Sequence, residues 1–216
     1  MIRPLRPAIA PRSRIAVCAV VAATLVAVAS GCGSSSSGGQ KASPGNLLAA
    51  ALQLQQQGKL NAAKQLYEQV VQAQPDNYYA HYDLGVIAQQ AGDDTGALAD
   101  YGAALTANPK YVPALYNEAT IYAKTDPALA ITTYRQVLAI QPVAPTAALN
   151  LGLLEFAHGQ RQQGLHDLGI AITQDSSLLA QIPKHLQHLV QAATSSSTSS
   201  PSSGATTSST PTTSPS

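Results

Sequence analysis

At 216 residues, with 45% apolar residues, 11% charged residues and a formal charge of +1, the chain is long and apolar enough to bury a core of its own. Two cysteines are too few for a disulfide scaffold, and the near-zero charge leaves no basic excess of the kind that binds nucleic acid.

The first element is a leader over residues 1–31. Arg3, Arg6, Arg12 and Arg14 precede an uncharged apolar run from Ile15 to Ala29, the layout of an export signal. That run is shorter than the ~20 residues a membrane-spanning helix needs, so cleavage is expected rather than permanent anchoring. Ala29, Ser30, Gly31 and Cys32 follow, and this stretch resembles a bacterial lipobox. The resemblance implies that the leader is cut just before Cys32, that the Cys32 thiol carries a diacylglycerol, and that the protein sits by its lipid on the outer face of a bacterial membrane. Residues 32–43 then form a polar, glycine-rich tether, with an average reach of about 17 to 20 Å for a flexible coil of that length. All four leader arginines leave with the signal, so eight of the twelve basic residues remain against eleven acidic ones, a formal charge of about −3. No basic stripe remains to suggest nucleic acid or a polybasic membrane contact.

From residue 44 a helix-pair pattern returns four times at a spacing of thirty-three or thirty-four residues, predicting repeats over about 44–77, 78–111, 112–144 and 145–178. The clearest copy has His81, Leu84, Gly85 and Ala88 in its first half, Gly92 at its turn, and Ala97, Tyr101, Ala104 and Pro109 in its second. Leu84 and Gly85 set a large apolar residue beside a small one that admits a partner helix. Gly92 supplies a tight turn, and Pro109 ends the unit. Leu47, Ala50, Ala51, Leu54, Gly58, Ala63, Tyr67 and Pro75 hold the same places upstream. Leu115, Ala119, Tyr122, Ala130, Tyr134 and Pro142 hold them downstream, one residue early after the short turn at Thr125, Asp126 and Pro127. The fourth copy keeps Leu151, Gly152 and Gly159 but has Gly164 for the alanine, Leu168 for the aromatic and Ser176 for the proline; Glu118 stands at a large apolar position of the third.

A last helix over 179–193 is expected to cap the array. Leu178, Leu179, Ile182, Leu186, Leu189 and Val190 would cover Leu165, Leu168 and Ile172, with Pro183 opening the helix. Residues 194–216 contain only Ser, Thr, Pro, Gly and Ala and read as a disordered tail.

These positions closely resemble the tetratricopeptide repeat. The resemblance implies an all-α right-handed superhelix, or α-solenoid, with the first helix of each pair lining a concave groove for a protein or peptide partner. Carried across by position, the groove would comprise Tyr79, Tyr82, Asp83, Val86 and Gln89 from the second repeat. The third would add Tyr116, Asn117, Thr120 and Lys124, and the fourth Leu149, Asn150, Leu153 and Phe156. Some members of the family grip a terminal carboxylate with Lys, Arg and Asn at such positions. Here Leu48, Leu52 and Asn117 stand there instead, so that clamp is not expected.

No catalytic constellation, metal site or cofactor motif emerges. His185 and His188 lie one turn apart, but two ligands do not make a zinc site, and a solvated helix face is the simpler account. Asp93 and Asp94 precede a helix and are expected to cap it. The expected function is that of a membrane-tethered, extracytoplasmic scaffold or adaptor without enzymatic activity. The alternative is a lipoprotein whose aromatic groove takes a small molecule or glycan. Replacing Cys32 with alanine should abolish metabolic labelling with a fatty acid, and a variant that still labels would refute lipid attachment there.

Overall fold

The computed structural model describes residues 42–197; the leader, Cys32, the tether as far as residue 41 and the tail beyond residue 197 lie outside them. Among the described residues there is no strand. The chain forms α1 (Pro44–Gln56), α2 (Leu60–Ala73), α3 (Tyr78–Gln90), α4 (Asp94–Ala107), α5 (Val112–Thr125), α6 (Pro127–Ile140), α7 (Pro145–Ala157), α8 (Arg161–Gln174), a 3-10 turn (Ser176–Gln181) and α9 (Lys184–Ser197). Each helix packs on the next in chain order, most closely within the pairs α1/α2, α3/α4, α5/α6 and α7/α8. These are the four expected repeats, stacked as an α-solenoid.

Local chemistry fixes the helix ends. Side chains of Ser43, Asn77, Asp93 and Asp126 accept hydrogen bonds from backbone N–H groups of the first turns of α1, α3, α4 and α6. Prolines occupy the first turn of α1, α5, α6 and α7, where a missing N–H costs nothing. Gly58, Gly92 and Gly159 close the first, second and fourth hairpins with φ of +75°, +83° and +85°, torsions that a side chain disfavours. The third hairpin needs no such residue, because Asp126 both ends α5 and caps α6. Asp93 caps α4 as expected, whereas Asp94 instead forms an ion pair with Lys124 of the next repeat, Nζ to Oδ2 3.0 Å.

The tightest packing follows the smallest residues. A Cβ on Gly85 would lie 2.6 Å from the Tyr101 ring, so glycine there is the complement of the tyrosine. In the fourth repeat the approach is backbone to backbone. A Cβ on Gly152 would lie 2.8 Å from the Gly164 carbonyl oxygen, and one on Gly164 would lie 2.6 Å from the Gly152 oxygen. Gly164, which departs from the alanine of the other copies, therefore permits a closer helix pair. Glu118 is accommodated half-buried near Gly102, where a Cβ would still clear its carboxylate by 3.9 Å.

The C-terminal cap differs from expectation in its boundaries. Leu178 and Leu179 belong to the 3-10 turn that Asp175 starts by accepting from Ser177 N, and the helix proper begins only after Pro183. Leu178, Ile182, Leu186 and Val190 join Ala148, Leu149, Leu168 and Ala171 in one apolar cluster, with Leu165, Ile172 and Leu179 at its edge. Leu189 is 39% exposed and falls outside the stripe. The helix continues to Ser197, past the expected end at residue 193, with the Thr194 and Ser195 hydroxyls donating to the Gln191 and Ala192 carbonyls of the preceding turn. Gly164→Ala should destabilise the domain by roughly 1–3 kcal/mol through overpacking, despite the better helix propensity of alanine. Urea unfolding followed by circular dichroism measures this, and an unchanged or raised midpoint would contradict the backbone contact.

Candidate functional site

The first helices α3, α5 and α7 carry all thirteen groove positions expected from sequence. Their side chains are organised by tyrosines that come from the other helices. Tyr67, Tyr101 and Tyr134, on α2, α4 and α6, bury their rings almost completely. Each sends its hydroxyl back to the first helix of its own repeat. Tyr67 Oη donates to Gln55 Oε1 at 2.5 Å and Tyr101 Oη to Gln89 Oε1 at 2.7 Å. The turn shortened by one residue puts Ala123 at the third glutamine position, and Thr120 Oγ1 takes over, 3.0 Å from Tyr134 Oη.

The Tyr101 and Tyr134 hydroxyls also meet the next repeat. Asn117 Nδ2 donates to Tyr101 Oη at 3.1 Å, and Asn150 Nδ2 donates to Tyr134 Oη at 3.2 Å and Tyr116 Oη at 3.0 Å. Burial raises the pKa of Asp83, and its polar neighbours Gln55 and Tyr67 partly offset that rise. The pattern is a tyrosine followed sixteen residues later by a carboxylate or amide, at Tyr67/Asp83, Tyr101/Asn117 and Tyr134/Asn150. Sequence reasoning placed Asp83, Asn117 and Asn150 on this face but gave the three tyrosines only as positions of the repeat pattern. Their spacing to an acid or amide was the signal that reveals the second role. One consequence changes the expected chemistry. Both amide donors of Asn150 are committed to tyrosines, so what it has left to offer is a carbonyl oxygen.

Around this ladder lies an aromatic patch. Tyr79, 48% exposed, has its ring centroid 4.1 Å from that of Tyr78 and 5.8 Å from that of Tyr111. Tyr82 packs edge-on to Tyr111 at 5.2 Å and tilted against Tyr101 at 5.8 Å. Tyr116 meets Tyr134 edge-on at 5.7 Å. Val86 packs against the core cluster containing Tyr101. Lys124 stands at the last turn of α5, its charge tied to Asp94.

In the fourth repeat the polar ladder stops. Leu168 replaces the tyrosine, and Phe156 stands in the register of Gln55 and Gln89. Leu153 and Phe156 pack on the C-terminal apolar cluster, and the Arg161 guanidinium lies 5.9 Å from the Phe156 centroid. Leu149 is a correction to the expected groove: at 2% exposure it belongs to that cluster, because the cap needs it as core. The polar element here is on the other side of α7, where fully buried Glu155 takes an ion pair from Arg135, which also donates to Gln160 Oε1 at 3.0 Å.

Among the described residues no group of three His, Cys, Asp or Glu is placed to hold a metal, and no helix is long and apolar enough to cross a membrane. His185 and His188 are both exposed.

The half-buried carboxyls share one electrostatic sign. Burial raises the pKa of Asp83, Asp100 and Glu118. Burial, then a hydrogen bond and repulsion from Glu155, lift Asp167 from 3.8 to about 6, against the pull of His166 and Arg135. A raised carboxyl binds its proton more tightly in the folded chain, so its contribution to stability is complete below the unfolded value and lost as pH climbs through the folded one.

A tetratricopeptide repeat family model matches residues 48–112 and 122–169. No curated protein matches the chain. Among solved structures, MamA 41-end from Desulfovibrio magneticus RS-1 superimposes with a TM-score of 0.62 at 17% identity, over 73% of this chain and 90% of that one. A tetratricopeptide repeat protein from Parabacteroides merdae gives 0.58 at 20% identity, over 71% and 60%. The first TPR of Spaghetti (RPAP3), bound to the HSP90 peptide SRMEEVD, gives 0.51 at 20% identity, over 54% and 93%.

The unfolding midpoint should fall between about pH 4 and pH 6.5, and Asp167→Asn should flatten the part of that fall nearest pH 6. Thermal melts across this range check it; a midpoint that rises over the same interval would contradict the raised carboxyls.

Proposed function

The chain belongs to the tetratricopeptide repeat family, and on that premise we propose that it is a non-enzymatic scaffold. It holds an extended segment of a partner protein against the face formed by α1, α3, α5 and α7. Cys32 anchors it by lipid to the outer surface of a bacterial membrane, and the tether keeps the face close to that surface.

The observation that carries this proposal is the array of Tyr82, Gln89, Tyr116, Asn117, Thr120 and Asn150, fixed by hydrogen bonds or ring contacts across successive repeats. Tyrosines already ordered before binding give broad contact at little further loss of freedom, and the uncommitted Asn150 amide oxygen suits an N–H group of an extended backbone. The face carries no free cation among its expected residues. Lys124 is held by Asp94, so this face offers no counterpart for an acidic tail such as the SRMEEVD segment bound to RPAP3.

Capture from an envelope extract with the immobilised chain tests this, comparing wild type with a Tyr82→Ala, Tyr116→Ala double variant of unchanged helicity. The proposal expects a defined protein retained by wild type, lost in the double variant, and only modestly weakened by added salt. Retention that ignores both tyrosines, or a co-purifying small molecule with no captured protein, would overturn it.

A further inference from the structure

The ladder has one chemically odd rung. Where the third and fourth repeats place the amides Asn117 and Asn150, the second places the carboxylate Asp83. An amide at that position would fill the same volume and hold the Tyr67 hydroxyl, as Asn117 holds that of Tyr101. Nothing in the ladder calls for a charge.

The charge is also uncompensated. Asp83 is half-buried, and none of the three ion pairs among the described residues includes it. Burial raises its pKa, and its neutral neighbours Gln55 and Tyr67 offset only part of that rise. Lys124, the cation among the expected groove residues, is taken by Asp94. A partly desolvated carboxylate with no cation is a cost to the free protein, and one that an incoming cation removes.

What surrounds Asp83 narrows the kind of cation. Tyr82 adjoins it in sequence, and its charge also acts on Tyr101 and Tyr111. The Tyr82 ring lies 5.8 Å from that of Tyr101 in a tilted contact and 5.2 Å from that of Tyr111 edge-on. Aromatic faces beside a carboxylate attract organic cations by the ring quadrupole, and they cover an aliphatic stem at the same time. Leu52, one turn before Gln55 on α1, is 40% exposed and extends the apolar surface toward the first repeat. A compact hydrated metal ion would use none of this apolar area. A lysine or arginine side chain uses all of it.

We infer that the partner segment crossing the second repeat presents a lysine or arginine side chain to Asp83, with its stem lying along Tyr82 and Tyr111. The inference deepens the peptide-binding reading above and rests on it. The polarity is opposite to that of a site for carboxylate-rich tails.

The test is selection of a random dodecapeptide library on the full chain, with binding then measured by fluorescence anisotropy on wild type, Asp83→Asn, and the Tyr82→Ala, Tyr116→Ala variant. Peptides that depend on the two tyrosines should share a lysine or arginine at one position. Asp83→Asn should weaken them tenfold or more, and replacing that basic residue with norleucine should do the same. Asp83→Asn should leave the melting temperature unchanged or higher, since it removes a desolvated charge and keeps the hydrogen-bonding shape.

Tyrosine-dependent peptides with no shared basic residue, or with affinities unmoved by Asp83→Asn, would overturn this inference and leave the peptide-binding face standing. A lower melting temperature for Asp83→Asn would assign the carboxylate to the fold and also overturn it. Asp83-dependent binding of spermidine in place of any peptide would make a free amine the occupant. Failure to select any tyrosine-dependent peptide would sink the binding face itself.

Discussion

A buried tyrosine whose hydroxyl reaches the first helix of its pair is the contact on which the first three repeats depend. The ring fills the gap between the helices of one pair, and the hydroxyl emerges between two successive first helices. Leaving such a hydroxyl buried and unpartnered would cost about 1–3 kcal/mol, so the residues around it are constrained to supply partners. Gln55, Gln89 and Thr120 supply them from within a repeat, and Asn117 and Asn150 from the next. The same bonds that satisfy the core fix the orientation of side chains on the outer wall. Packing and presentation are thus one set of interactions.

The fourth repeat solves the same problem without the hydroxyl. With Leu168 for the tyrosine, Phe156 for the glutamine, and glycines at both 152 and 164, the helices close until their backbones touch. The freed apolar surface is then covered by the 3-10 turn and α9 through Leu178, Ile182, Leu186 and Val190. A repeat array exposes an apolar flank at its last unit, and terminal units differ from internal ones for that reason. The departures from the repeat pattern in this copy are therefore adaptations to being last. They also move the polar, tyrosine-bearing wall toward the first three repeats, while Leu149, Leu153 and Phe156 serve the cap.

Much of the fold was legible in the sequence. The period, the turn glycines and the prolines of the first turns specified the helix pairs and their order, because each acts through local backbone geometry. The boundaries at the C-terminal end were less so. Leu178 and Leu179 carry the apolar pattern of a helix, yet Asp175 draws them into a 3-10 turn, and only Pro183 marks where the α-helix starts. On the candidate face, first-helix positions were readable from the repeat register, but the partners of each side chain were not. Tyr101 has the spacing of a core residue, and its hydroxyl becomes meaningful only when Asn117 is brought beside it by stacking. Leu149 shows the reverse, a groove position by register that the cap converts into core.

The functional account requires that these hydroxyl contacts couple neighbouring repeats, so that the wall is ordered before any partner arrives. A double-mutant cycle on Tyr101→Phe and Asn117→Ala measures that coupling directly by urea unfolding. The account predicts an interaction energy of about 1 kcal/mol or more, since the two side chains share one hydrogen-bond network. Effects that add to within about 0.3 kcal/mol would show the two residues to be independent and would contradict it.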